Sequence, residues 1–190
     1  MGASEPLLKA IAVTAELTGT QLSAAAAGVL AEDLSRYPEH QVMCALTRCR
    51  REIRTRLTVA DVVARIDDGR PGPEEAWAHV SPMLGDESVS VVWTDEERDA
   101  FFVCAALADD PIAARMAFLE RYRKAVMDAR SEGRPLHWQH CLGHNPQFRE
   151  AVLLEAVRLG KLSAPHVQGL LPHHEMPAPE VAALIQPKRL

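Results

Sequence analysis

The sequence predicts an all-α protein, a compact bundle of about eight helices in two helical subdomains with a proline-rich tail. Two observations support this class. Apolar residues recur at intervals of three and four positions along nearly the whole chain, which is the spacing of amphipathic helices. Residues that start helices (Ser, Thr, Asp, Asn and Pro) and residues that stop them (Gly) stand between these segments. A chain of 190 residues can bury about 70% of its unfolded surface, so the fold requires no disulfide.

Three helices are predicted at the start of the chain. The first runs from Glu5 to Leu17 and ends at Gly19. Pro38 opens the third, because a proline in the first turn of a helix loses no hydrogen bond. The second helix is expected to bury the stripe Leu22, Ala26, Val29, Leu30, Leu34 and Tyr37. The third is expected to bury the stripe Val42, Leu46, Cys49 and Ile53.

A fourth helix leads to the predicted subdomain boundary. Thr58 and Asp61 have the spacing of a capping box, and Gly69 ends the helix. The apolar side chains expected inside are Val59, Val62, Val63 and Ile66. The following GRPGPEEAW, with prolines and glycines close together, is typical of a boundary. We therefore predict an N-terminal subdomain at 1–70, a C-terminal subdomain at 71–171 and the tail at 172–190.

The second half begins with a short helix at Pro73 and a strand-like run. Val89, Val91 and Trp93 alternate as in a strand, but no second such run is evident, so we interpret SVSVVW as an extended connector. Thr94 then opens a helix to about Ala108 through a capping box with Glu97.

Two longer helices and a loop complete the predicted bundle. Asp110 and Pro111 open the first of these, and Gly133 closes it. Its inward side chains are expected to be Ile112, Met116, Leu119, Tyr122 and Val126. HWQHCLGH is predicted to be a loop. The next helix, from Asn145 to Gly160, is apolar on several sides, which predicts deep burial of Phe148, Val152, Leu153, Leu154 and Val157. A last short helix follows Ser163.

Composition and charge restrict the class of protein. The four cysteines show no C-x-x-C spacing, no secretory signal is evident, and no apolar run approaches the roughly 18 residues of a membrane span. We expect a cytoplasmic protein with reduced thiols. The net charge is −5, but the charge is uneven: RCRREIRTR at 48–56 holds five arginines and one glutamate, whereas 74–99 holds eight acids and one arginine.

Signatures of common enzyme classes are missing. The sequence has no P-loop, no G-x-S-x-G elbow, no G-x-G-x-x-G turn and no H-E-x-x-H helix. The possible zinc ligands are His137, His140, Cys141 and His144. Their spacing matches no familiar zinc finger, and a short loop places four ligands around one ion with difficulty. We therefore predict a protein that is not an enzyme and has neither cofactor nor metal site.

The candidate site is the arginine cluster Arg48, Arg50, Arg51, Arg54 and Arg56. The first four lie on an arc of the third helix away from its apolar stripe. Guanidinium groups suit phosphates and carboxylates equally. Three interpretations stay open: a solvated face paired with acids such as Glu52 and Asp61, contact with a nucleic-acid backbone, or docking to an acidic protein partner. A helix-turn-helix that reads DNA with PEEAWAHV fits poorly, because its leading glutamates would face phosphates.

The run from Leu17 to Ile66, together with TAELTGTQLS, resembles the helical domain of phage replicative-helicase loaders of the loader-and-inhibitor type. The likeness is carried by the segment VLAEDLSRYPEHQVMCALTRCRREIRTRLTVADVVARI. In this segment, the positions that form the family's pattern are occupied by Leu34, Tyr37, Ala45, Leu46 and the turn before Thr58. The remainder resembles uncharacterised proteins of bacterial prophages. The resemblance implies a phage or prophage DNA-replication accessory protein that binds a replicative helicase. The alternative is a DNA-binding regulatory protein that uses the arginine-rich helix.

Overall fold

The computed structural model describes residues 4–171, so the predicted tail at 172–190 lies outside the described residues. Within this range the chain is mainly helical, as predicted, with nine α-helices. They are α1 (Glu5–Leu17), α2 (Ala24–Leu34), α3 (Glu39–Glu52), α4 (Val59–Ala64), α5 (Pro73–Val80), α6 (Asp95–Ala105), α7 (Pro111–Glu132), α8 (Pro146–Arg158) and α9 (Ala164–Leu170). A 3-10 turn follows α5 at Ser81–Met83.

The prediction of an all-α fold is wrong in one respect, because the chain contains a small sheet. Strand β1 (Val91–Thr94) pairs antiparallel with β2 (Trp138–Cys141), in a register that sets Val91 opposite Cys141 and Thr94 opposite Trp138. SVSVVW is therefore not an unpaired connector, and the residues WQHC within HWQHCLGH form a strand and not a loop. The partner strand WQHC has no apolar alternation, so its pairing depends on contacts far along the chain.

The chain forms two compact units. Of the described residues, unit 1 comprises 4–70 and Val126–Pro135, and unit 2 comprises Pro71–Ala125 and 136–171. The predicted subdomains were continuous stretches, whereas each unit is built from two segments. Helix α7 starts in unit 2, and its residues from Val126 onward belong to unit 1.

Helices α1–α4 of unit 1 enclose one apolar core, with α1 against α2 and α3, and α4 against α2 and α3. The stripe predicted for α3 is confirmed for Val42, Leu46 and Cys49, which are fully buried, whereas Ile53 is half-buried and lies just after the helix. The stripe predicted for α2 is wrong in part, because Ala26 is exposed and Val29 is 59% exposed. The residues that α2 buries are Ala27, Leu30, Ala31 and Leu34.

Local signals set the helix ends as predicted. Thr58 and Asp61 form a capping box in which Asp61 N–H donates to the Thr58 hydroxyl at 3.2 Å and Thr58 N–H donates to the Asp61 carboxylate at 3.0 Å. The same arrangement between Thr94 and Glu97 opens α6. Gly19 follows α1 with φ +69°, a conformation that L-residues rarely adopt.

Buried charges attach the Val126–Pro135 segment to the rest of unit 1. The Asp68 carboxylate accepts hydrogen bonds from Arg70 Nη1 at 2.6 Å and from Arg130 Nε at 3.1 Å and Nη2 at 3.0 Å. Arg70 also donates to the backbone carbonyl of Arg134 at 3.0 Å. The Tyr37 hydroxyl donates to the Arg130 carbonyl. Apart from the bond between Asp68 and Arg70, these contacts join residues more than sixty positions apart in the sequence.

Unit 2 packs α5, α6 and α8 against β1, with α9 against α8. In α7 the Phe118 and Tyr122 rings stack, and the Tyr122 hydroxyl donates to the Pro71 carbonyl at 2.7 Å. The inward face predicted for α7 is wrong at its start, where Ile112 is 79% exposed and Met116 is 59% exposed.

Helix α8 is less buried than predicted. Leu153 is fully buried, but Phe148 is 55% exposed. Leu153 packs in a small core with Val92 of β1 and Val167 of α9. None of the helices within residues 4–171 has the length and apolar character needed to cross a membrane.

Candidate functional site

The arginine cluster lies where α3 ends. The helix stops at Glu52, and Ile53 is extended with ψ 133°, so the chain leaves the helix axis and runs to α4. Arg50 and Arg51 occupy the last turn, where positive charge is favourable to the helix dipole. Arg54 and Arg56 follow in the connecting segment.

Arg50 differs from the other four arginines because its guanidinium is half-buried against α1. Its Nη1 donates to the Thr14 hydroxyl and its Nη2 to the Thr47 hydroxyl, each at 2.8 Å. Thr14 is fully buried. Arg50 therefore connects α1 to α3, and the structure does not place it on a free surface.

Arg48 makes only a weak contact at the surface. Its Nη2 lies 3.9 Å from the Asp67 carboxylate, and the two side chains are 52% and 67% exposed. Exposed pairs at this separation contribute about 0–1 kcal/mol. Arg48 is therefore still accessible to a partner.

Arg51, Arg54 and Arg56 are exposed, and no hydrogen bond or ion pair to another residue in the range 4–171 involves their guanidinium groups. The acids expected to neutralise the cluster are engaged elsewhere. Arg65 Nε lies 2.8 Å from the Glu52 carboxylate, and Arg65 also pairs with Asp61 at 3.8 Å. Sequence reasoning missed this role of Arg65. We call Arg48, Arg51, Arg54 and Arg56 the arginine surface.

A groove of about 410 Å³ lies in the same unit, between α2 and the segment that leads into α4. Its apolar lining consists of Leu22, Ala26, Val29, Leu30, Leu57 and Val59, and its polar lining of Thr20, Asp33 and Thr58. Leu57 directly follows Arg56, so the groove begins next to the arginine surface. Sequence reasoning missed the groove because it assigned Val29 to the core.

The groove wall is fixed by hydrogen bonds of its own polar groups. Leu57 N–H donates to the Thr20 hydroxyl at 2.7 Å, which holds the connecting segment against the end of α1. The Thr58 hydroxyl donates to the Asp61 carboxylate at 2.6 Å. The Asp33 carboxylate, on the exposed side of α2, is the charged group of the lining.

Of the residues considered as zinc ligands, His140 and Cys141 lie in β2, His137 directly precedes this strand and His144 follows it. His137 Nδ1 lies 3.2 Å from the Asp95 carboxylate, and His140 Nδ1 lies 3.2 Å from His166 Nε2. Burial, together with the neighbouring His166, lowers the pKa of His140, and burial raises the pKa of the Cys141 thiol. Within residues 4–171, no three His, Cys, Asp or Glu side chains are grouped so that they could hold a metal ion.

Comparisons of this chain with protein-family models, with curated proteins and with solved structures found no match. What it binds must therefore be inferred from its own residues and their contacts.

Proposed function

We propose that this protein is a non-enzymatic adaptor that binds an acidic surface of a protein partner through the arginine surface of unit 1. The observation that carries the proposal is the state of Arg51, Arg54 and Arg56. These three guanidinium groups are exposed and make no ion pair within the described part of the chain, although Glu52 and Asp61 lie close to them in the sequence. Unpaired arginines are well suited to bidentate contacts with carboxylates.

Charge distribution favours a protein over a nucleic acid as the partner. Duplex DNA carries one negative charge per about 1.7 Å of axis, so a DNA-binding face must be positive over a long distance. Here Glu52 and Asp67 are exposed beside the arginines, and the chain has a net charge of −5. A protein surface with a few discrete carboxylates can pair with the four arginines without placing negative charge against Glu52 and Asp67.

The partner that we propose is a replicative helicase, and the role is accessory to phage or prophage DNA replication. This identity comes from the resemblance of Leu17–Ile66 to helicase loaders. The resembling run contains the whole arginine surface.

The test is binding of the full-length protein to the replicative helicase encoded in the same genome. We compare the native protein with the triple variant R51A/R54A/R56A and with the control R115A/R123A/R158A, which removes the same charge from exposed positions of unit 2. Three surface contacts of about 0.5–1 kcal/mol each amount to roughly 1.5–3 kcal/mol, so the first variant should weaken Kd by about tenfold or more. The control should bind as the native protein does.

Two outcomes would overturn the proposal. One is no binding at micromolar concentrations of both folded proteins, and the other is equal weakening by the two triple variants. A salt titration with duplex DNA separates the alternative function, because each neutralised phosphate releases counterions and steepens the salt dependence. Specific DNA binding with a slope that R51A/R54A/R56A flattens would replace the adaptor with a DNA-binding regulator.

A further inference from the structure

We propose that the groove beside the arginine surface receives a short amphipathic helix of the partner. The apolar side chains of this helix would fill the groove, and its carboxylates would pair with Arg54 and Arg56. The inference rests on the proposed function and specifies the chemistry of the partner segment.

The groove has the size and the lining for a few apolar side chains. It has a volume of about 410 Å³ and is open to solvent, so it offers room for a few apolar side chains of a larger partner but does not enclose a ligand. Val29 stands 59% exposed on one wall, and Leu22 and Val59 are half-buried. These side chains would lose contact with water when an apolar ligand enters, which favours binding.

Charge next to the groove selects an acidic segment. Arg56 directly precedes Leu57 of the groove lining, and Arg54 lies three positions before it. Both arginines are exposed, whereas Leu57 is buried. A partner segment seated on Leu57 would bring its flanking side chains within reach of these guanidinium groups, where carboxylates are favoured. Asp33 on α2 disfavours an acid on the opposite flank, so the segment is acidic on one side only.

The polar groups of the groove favour a peptide over a small polar metabolite. Sites for small ligands need several convergent polar groups to fix orientation. Here the hydroxyls of Thr20 and Thr58 already bond within the wall, which leaves Asp33 as the charged group available. A helix needs no such groups, because its backbone bonds are satisfied internally and its anchors at i, i+3 or i+4, and i+7 are apolar.

A second copy of this chain is a poor occupant. In a symmetric dimer residue i of one copy meets residue j of the other, so Arg54 and Arg56 would need carboxylates from this same surface, and the groove lining offers only Asp33 for the two arginines. Like charges at an interface oppose association. Charge complementarity therefore selects a different protein with acidic residues.

The test places a carboxylate in the groove. V29D alters an exposed position of the lining, and V13D is its control, since Val13 is also an exposed valine of a unit 1 helix. Circular dichroism should show that both variants fold. With the helicase of the same genome as the probe, V29D should weaken Kd by at least about tenfold, as expected for an anchor pocket, and V13D should not change it.

The outcomes separate this inference from the proposed function. Native-like affinity of V29D, together with weakened binding of R51A/R54A/R56A, overturns the groove inference and leaves the adaptor intact. Absence of helicase binding by the native protein overturns both. A photoreactive residue at position 29 should cross-link to an amphipathic helix with acidic residues. A cross-link to a second copy of this chain, or to a basic segment of the helicase, overturns the inference.

Discussion

Replacement of Asp68 by alanine should strongly destabilise unit 1. The Asp68 carboxylate, 16% exposed, is the shared acceptor of Arg70 and Arg130, whose side chains are 2% and 11% exposed. The variant removes three hydrogen bonds to charged groups and leaves two nearly buried guanidinium groups without their carboxylate. Most of the loss in free energy of unfolding comes from the buried positive charge that is left uncompensated, and less comes from the lost hydrogen bonds themselves.

The expected loss in free energy of unfolding is about 3 kcal/mol. Removal of one partner from a buried ion pair costs about 3–5 kcal/mol. The lower end applies here because both arginines keep other acceptors. Arg70 still donates to the carbonyl of Arg134 at 3.0 Å, and Arg130 Nη1 still donates to the carbonyl of Ala64 at 2.9 Å.

The assay is urea denaturation of the full chain followed by circular dichroism. Tryptophan fluorescence is the second signal, and since Trp77, Trp93 and Trp138 all belong to unit 2, it reports on that unit. The control is Asp67→Ala, which removes the neighbouring carboxylate, 67% exposed and 3.9 Å from Arg48. This control should cost no more than about 1 kcal/mol.

A loss below about 1 kcal/mol for Asp68→Ala, or a loss equal to that of Asp67→Ala, would refute the reasoning. Such a result would mean that solvent or the remaining carbonyl acceptors fully compensate the two arginines.

Two further predictions concern the pH dependence of stability and the space around two glycines. Burial alone would raise the pKa of Asp68, but Arg130 and Arg70 outweigh it and hold that pKa below its ordinary value of 3.8. The native protein should therefore exceed the Asp68→Asn variant in free energy of unfolding by its full margin well above pH 4, and this margin should shrink as the pH falls through the folded-state pKa. Urea titrations of both proteins at pH 7 and about pH 3 measure the margin, and an equal margin at the two pH values would contradict this prediction. A Cβ at Gly143 would overlap the backbone carbonyl of Ser88, so Gly143→Ala should cost about 1–3 kcal/mol in thermal unfolding. Gly28→Ala, in open space within α2, should instead stabilise by about 0.5–1 kcal/mol, and the opposite order of the two variants would contradict the packing.

The candidate surface was only partly visible in the sequence. The heptad-like spacing of α3 placed its apolar residues inside and its arginines outside, because both depend on one helix alone. This spacing could not show that Arg50 donates a hydrogen bond to Thr14 of α1, or that Glu52 and Asp61 form ion pairs with Arg65 and not with the arginine cluster. Those pairings follow from how helices pack on one another.

The sequence by itself determined the mainly helical class and most helix ends. The capping boxes at Thr58 and Thr94 and the glycine after α1 form as expected, because each involves residues within three or four positions of one another. Such contacts exist in any fold that contains the helix.

The tertiary structure alone decided which faces are buried and which distant segments meet. In α2 the buried face keeps Leu30 and Leu34 of the predicted stripe but takes Ala27 and Ala31 in place of Ala26 and Val29, since a helix so rich in alanine offers several apolar faces and its neighbours select one. The pairing of β1 with β2 and the capture of Val126–Pro135 by Asp68 likewise depend on residues more than forty positions apart. Their energy comes from desolvation and charge pairing that arise only when these segments meet, and no local spacing encodes that meeting.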